Sequence, residues 1–284
     1  MDVGIGLPAA IPGVSGASAI KWAQKAEAGH FASVGLVDRL VYPNFEPLIT
    51  LAAVAGATQR IRLAATVRLA PLRHPGMLTN QAASLDALSG GRLTLGLGVG
   101  GREEDYLAAP APFNTRGRCF DEQLETMERI WAGGPAGENA GAIGPPPVRD
   151  VGPVLLIGAN SPRAMARAGK WGDGFIAADG EPDMAKQSYD AARQSRKDAG
   201  REGEPRLAAG AYFALDDDAK STGAENIMHY YGEPFGPMIS EGLPDSVDAV
   251  KELISGFSDA GCDELILWPA VTHLDQVERL TELI

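Results

Sequence analysis

Eight times along this chain a short apolar, β-branched run is followed by a stretch of helical periodicity, and that count constrains the fold more than any other feature. Strands are expected at Val3–Leu7, Ser33–Val37, Ile61–Thr66, Leu93–Gly98, Val154–Ile157, Gly174–Ala178, Leu207–Ala214 and Glu264–Trp268. Helices are expected near Ser18–Ala28, Glu46–Ala57, Gly76–Leu88, Arg118–Ala132, from Pro162, and over Pro182–Ala199, Ser246–Ala260 and Leu274–Leu283. Strands that alternate with helices pair in parallel, and eight such units close a (β/α)8 TIM barrel. A doubly wound sheet would open on a glycine-rich turn, and the first loop, Pro8–Gly16, holds no GxGxxG. A length of 284 residues suits one barrel of this kind, so a single α/β domain over 1–284 is predicted. Two stretches break the rhythm, a proline- and glycine-rich loop at about 133–153 and an insertion at about 216–244.

Charge and composition narrow the function classes. A formal net charge of −12 repels polyanions, which argues against nucleic acid and anionic membrane as partners. No apolar run approaches the roughly 18 residues of a membrane helix. The opening Met1-Asp2-Val3-Gly4-Ile5 is acidic and enters a strand at once, unlike a secretory signal. Cys119 and Cys262 stand far apart without a CxxC pattern and read as free thiols, so a cytoplasmic setting is expected. His30, His74, His229 and His273 show no ligand spacing, and no metal site is predicted.

In such barrels functional groups ride on the loops after each strand's C-terminal end. The fifth loop, Ile157-Gly158-Ala159-Asn160-Ser161-Pro162-Arg163, places Ser at an N-cap and Pro at the first helical position. Free backbone N–H groups and the helix dipole make an anion site there, with Arg163 as a charged donor; a plain capped helix is the competing reading. The fourth loop has glycine at 96, 98, 100 and 101, which lets a flat ligand approach or lets a strand end pack tightly. Its acidic run, Glu103–Asp105, reads as a solvated loop or a helix start. In the second loop Asp38-Arg39 is either catalytic or an internal salt bridge that orients the loop. The third loop carries Arg68, Arg73 and His74, whose imidazole suits acid–base work and equally suits a loop hydrogen bond.

The strings Ala57-Thr58-Gln59-Arg60-Ile61-Arg62-Leu63, Leu72-Arg73-His74-Pro75, Leu85-Asp86-Ala87-Leu88-Ser89-Gly90-Gly91-Arg92-Leu93 and Gly96-Leu97-Gly98-Val99-Gly100 closely resemble the bacterial-luciferase-like superfamily. That superfamily holds FMN-dependent monooxygenases and deazaflavin (coenzyme F-420) oxidoreductases. The resemblance is dense over residues 30–132 and returns at Gly158–Gly174 and Gly242–Pro269. It implies a cofactor ring at the barrel mouth lined by Thr66, Val67 and Gly98. The phosphate would be held by Gly158, Ala159, Asn160, Ser161 and Arg163. It also implies a non-prolyl cis peptide at Thr66–Val67, and a homodimer.

The chain departs from the pattern at Arg39, where many members carry His, and at Gly98-Val99, where luciferase-type members carry Cys and Arg. Arginine cannot shuttle protons at neutral pH, so Arg39 is expected to act electrostatically and His74 is the remaining acid–base candidate. Light emission is not expected. The short 133–153 segment suggests an open mouth, or a pocket completed by a second subunit. The expected activity is monooxygenation with reduced FMN from a separate flavin reductase and molecular oxygen. The apolar and aromatic loops Pro8–Gly16, Val41–Phe45 and Tyr230–Met238 suggest a small hydrophobic organic substrate. The alternatives are hydride transfer with the deazaflavin, whose polyanionic tail would need a basic groove from Arg68, Arg73 and Arg102, and a non-catalytic luciferase-like subunit, which would show a degraded fifth loop. An aldolase or isomerase barrel would set lysine or paired carboxylates at strand ends, and neither is found.

Overall fold

The computed structural model describes residues 1–177 and 180–284, with Asp217 described in its backbone alone. Eight parallel strands pair in chain order: β1 (Asp2–Gly6), β2 (Ser33–Leu36), β3 (Arg62–Leu69), β4 (Leu93–Gly98), β5 (Val154–Gly158), β6 (Gly174–Ala177), β7 (Arg206–Phe213) and β8 (Glu264–Pro269). β8 returns to β1, so the sheet closes into the expected barrel with no free edge. Ala178, the expected end of the sixth strand, lies outside the described residues.

The helices are α1 (Gly16–Ala28), α2 (Pro47–Ala57), α3 (Pro75–Ser89), α4 (Glu103–Ala108), α5 (Arg116–Trp131), α6 (Pro162–Trp171), α7 (Pro182–Asp198), α8 (Asp217–Tyr231), α9 (Phe235–Glu241), α10 (Val247–Asp259) and α11 (Asp275–Thr281). Starts are set by local capping chemistry. Ser15, Glu46, Ser161 and Ser246 each accept a first-turn N–H with a side-chain oxygen, and Pro47, Pro75, Pro162 and Pro182 occupy the position where no N–H is needed.

Successive strand residues alternate between the helix side and the barrel interior. Ile5, Val34, Leu63, Leu95, Ile157, Phe175, Leu207 and Leu265 fill the main core between sheet and helices. The interior is stacked in layers. At the bottom Glu264 is buried between Arg62 and Arg206. Above it lie Ala64 and Ile266 on one side and Leu156, Ile176 and Ala208 on the other. Trp268 fills the layer below the mouth, with Val37 and Tyr212 against it. Its indole occupies the space that side chains at Gly6, Gly35 and Gly210 would need; a Cβ at Gly35 would stand 2.8 Å from the ring.

Two expectations are corrected. The stretch 216–244, expected to be irregular, forms α8 and α9. Gly223, Gly232, Pro234, Gly236 and Pro237 mask the stripe Ala219, Gly223, Ile227 and Tyr230, which recurs at helical spacing. Gly223 belongs to that packing, since a Cβ there would stand 2.9 Å from the Ala270 methyl. The second correction concerns the expected open mouth, over part of which α8 lies, from within the chain. The 133–153 segment runs along the flank of α3, where Val148 N donates to Asp86 Oδ2 at 3.0 Å and Asn80 donates to the Gly144 carbonyl. Among the described residues no helix is long and apolar enough to cross a membrane, and no cluster of His, Cys, Asp and Glu has the makings of a metal site.

Candidate functional site

The site begins where β3 loses register with β4. Ala65 faces Leu95 and Arg68 faces Leu97, so one extra residue is taken up between them. The Thr66–Val67 peptide within this bulge is cis. Two residues beyond Ala64, Thr66 points into the barrel, and its buried hydroxyl has no hydrogen-bond partner among the described residues. Val67 packs on the Leu156–Ile176–Ala208 cluster. Its methyl groups sit in the gaps left by two glycines: a Cβ at Gly98 or at Gly158 would lie 3.2 Å from them. Four of the expected cofactor residues, Thr66, Val67, Gly98 and Gly158, are thus brought together. Val67 itself takes up the space beside Gly98.

From Gly158 the chain passes through half-buried Ala159 to the exposed N-terminus of α6. Ser161 Oγ accepts from Ala164 N at 3.3 Å, and Pro162 has no N–H to offer, which leaves the Arg163 N–H unspent in the first turn. Arg163 is exposed. Every other arginine has an ion pair, a hydrogen bond or a stacked ring, and among the described residues Arg163 has none.

The opposite side of the mouth is built around the C-terminus of α8. Arg39 donates to the Tyr230 carbonyl at 2.7 Å, and Arg102 donates to the same oxygen at 3.0 Å. Two guanidiniums therefore cap the helix's carbonyl end, where the dipole favours positive charge. Both also lie over the Tyr230 ring, at 5.3 and 5.2 Å from its centroid. Arg39 is paired with Glu104 as well, and Asp105 accepts from Leu40 N and Val41 N at 3.0 and 2.7 Å. The acidic run of the fourth loop thus forms the first turn of α4 and fastens the second loop. Tyr42 completes this corner, its hydroxyl 2.7 Å from His229 Nδ1 and its ring edge-on to Tyr230. Arg39 is here a latch between loop and lid. Arg39→Ala is expected to raise hydrogen exchange across residues 226–231 by about tenfold or more, with little change in the barrel strands. Unchanged protection in α8 would contradict the latch.

Asp38 does not pair with its neighbour. Its carboxylate takes a two-pronged contact from Arg73 at 2.5 and 2.9 Å and accepts from Leu69 N at 2.8 Å, with the side chain 1% exposed. Arg68, buried beside it, is paired with Glu46. His74 stands apart, exposed at the N-cap of α3, with Nδ1 accepting from Gly76 N at 3.2 Å. The three arginines of the expected basic groove are therefore spent on Glu46, Asp38 and the Tyr230 carbonyl.

Under α8 a cavity of about 20 Å³ remains, walled by Val37, Tyr212, Ile227, Tyr230 and Trp268. Tyr212 and Trp268 escaped the sequence reading. Their signal lay in Gly6, Gly35 and Gly210, which have meaning only once β1, β2 and β7 are known to face one indole.

Residues 1–252 match the profile of luciferase-like monooxygenases, which covers most of the chain and all of the site except the end of β8. The chain belongs to the luciferase-like monooxygenase family. An uncharacterized protein of Mycobacterium tuberculosis is 28% identical over 210 residues, 64% of this chain and 72% of that one. An F420-dependent secondary alcohol dehydrogenase, solved with an F420–acetone adduct, superposes with a TM-score of 0.81 at 16% identity, over 100% of this chain and 98% of its own. The oxygenating constituent of 3,6-diketocamphane monooxygenase from Pseudomonas putida, a type II Baeyer–Villiger enzyme solved with FMN, gives 0.75 at 20% identity, over 99% and 95%. At these identities the two structures share the fold of this luciferase-like barrel.

Proposed function

We propose that this luciferase-like protein is a flavin-dependent oxidoreductase, a monooxygenase that uses reduced FMN and molecular oxygen on a small hydrophobic organic substrate. The observation that carries the reading is Arg163, an unpaired guanidinium beside an unspent helix N-terminus at the end of β5, suited to a phosphate monoester. The unpartnered Thr66 hydroxyl, buried at the bulge, fits the polar edge of a flavin ring. Gly158, Ala159, Asn160 and Ser161 would supply backbone and hydroxyl contacts to the phosphate, and Val67, backed by Gly98, would support the ring. Bound reduced FMN would supply the electrons for oxygen activation. The protein's share is to hold the phosphate, orient the ring on the Thr66–Val67 bulge and exclude water with α8.

FMN is favoured over the deazaflavin because Arg68 and Arg73 are paired with Glu46 and Asp38, which leaves Arg102 alone of the three for a long polyanionic tail. Arg39 contributes electrostatically through the lid it holds. His74, with Nδ1 engaged, has Nε2 free for proton exchange at the rim. A separate flavin reductase and a second copy of the chain are the proposed partners, and the cytoplasm the proposed location. Arg163→Ala is expected to weaken FMN about 10- to 100-fold and riboflavin hardly at all, measured by fluorescence titration. Equal losses for both ligands would place the phosphate elsewhere.

A further inference from the structure

We propose that the phenol pair Tyr212–Tyr231 is the polar reader of the substrate, selecting a largely apolar molecule that offers one oxygen as hydrogen-bond acceptor. The proposal rests on the mouth being the substrate site, as in the function proposed above.

Tyr212 points into the barrel from β7, and its ring meets Tyr231 of α8 edge-on at 5.9 Å. Their hydroxyl oxygens are 3.2 Å apart. Two phenols carry two O–H protons, and one hydrogen bond uses one of them. Neither oxygen has another partner among the described residues, so whichever phenol donates, the other keeps an unused donor. Burial pushes both phenols above their ordinary values, which keeps them protonated at neutral pH. Tyr212 forms part of the cavity wall and Tyr231 stands behind it, so the spare donor is offered to a ligand when Tyr231 donates to Tyr212.

The surroundings fix the class of ligand. Leu7, Pro8, Ile11, Val37, Ile227 and Trp268 make most of the lining apolar, with Asn226 the polar side chain beside the tyrosines. The nearby guanidiniums, Arg39 and Arg102, both serve the Tyr230 carbonyl. A cation would be repelled by Arg102, which has no carboxylate partner among the described residues, whereas an acceptor oxygen needs only the O–H it is offered. The approach is apolar too: Leu40, Val41, Phe45, Phe235 and Met238 are exposed around the lid. The cavity, at about 20 Å³, has room for a single water. Any larger molecule requires displacement of α8, whose C-terminal end is held by Arg39 and Arg102.

The test compares cyclohexanone with methylenecyclohexane, which has the same shape with C=CH2 in place of C=O. Each is titrated into the flavin-free full-length protein, followed by tryptophan fluorescence and calorimetry. The ratio of ketone to alkene affinity is expected to fall about tenfold or more from wild type to the double variant Tyr212→Phe/Tyr231→Phe. Tyr231→Phe should keep most of the preference, because Tyr212 on the cavity wall still has its proton, whereas Tyr212→Phe should lose most of it. A ratio unchanged in the double variant would overturn the assignment. So would a wild-type protein that binds the alkene more tightly than the ketone, a comparison that needs no variant to fold. A wild-type protein without ketone preference but with intact FMN binding would leave the proposed function standing, and ketone preference without FMN binding would remove that function alone.

Discussion

Asp38→Ala is expected to lower stability by about 3–5 kcal/mol and to shift the melting temperature down on the order of 10 °C. The carboxylate is fully enclosed and serves three donors, two from Arg73 and the Leu69 N–H. Without it Arg73 loses its counter-ion while facing Arg68, whose own charge is already disfavoured by burial and by Arg73. Only Glu46 would remain to balance two guanidiniums at the end of β3. Because Leu69 and Arg68 follow directly on the Thr66–Val67 bulge, the same change should reduce flavin binding beyond what thermal loss explains. The check is calorimetric unfolding together with an FMN titration at a temperature where the variant is folded. A variant within 1 kcal/mol of wild type would show that the network is solvated and contributes little.

The second large effect lies at the other end of the barrel. Glu264 accepts from Arg62 at 3.0 Å and from Arg206 at 2.6 Å, with its side chain 3% exposed. Burial alone would raise its pKa, but the charge of Arg62, the Ser33 hydroxyl and Arg206 outweigh it, and the carboxyl is held below its ordinary value. Glu264→Ala leaves two part-exposed guanidiniums with Asp2 as their remaining acid, and about 1–3 kcal/mol of stability is expected to go at pH 7, less than for a fully buried pair because solvent screens the arginines. A carboxylate whose folded pKa is depressed stabilises above its unfolded pKa and loses that contribution as pH falls through the folded value. The gap between wild type and Glu264→Gln should therefore be full above about pH 5 and shrink below about pH 4. Catalysis and FMN affinity should be unaffected at permissive temperature, because this layer lies beneath Trp268. A gap that does not narrow on acidification would contradict the ionised role.

The barrel was legible in the chain because each strand buries both faces and each helix has a stripe, two periods that local sequence displays directly. β4 falls at Leu93–Gly98 as expected. β3 runs on to Leu69, past the expected end at Thr66, since the bulge returns Val67 and Leu69 to packing positions while Arg68 interrupts the apolar run. The capped start of α6 was legible for the same local reason: Ser161, Pro162 and Arg163 are neighbours in sequence. Contacts between distant loops were not. Nothing in the chain says that Asp38 chooses Arg73 over adjacent Arg39, or that Arg39 and Arg102 converge on the carbonyl of Tyr230. Those choices follow from barrel closure, which sets the ends of β2, β3 and β4 side by side and brings α8 over them. Tyr212 and Tyr231 likewise meet only after the insertion folds back as a helix.

The most direct measurement is equilibrium binding of FMN, anaerobically reduced FMN, riboflavin and the deazaflavin coenzyme to the purified flavin-free protein. A phosphate held at the α6 N-terminus and a mouth without a basic groove predict reduced FMN as the tightest ligand, riboflavin weaker by the lost phosphate contact, and the deazaflavin weaker than FMN. Tighter binding of the deazaflavin, or no binding of any of the four, would contradict the account.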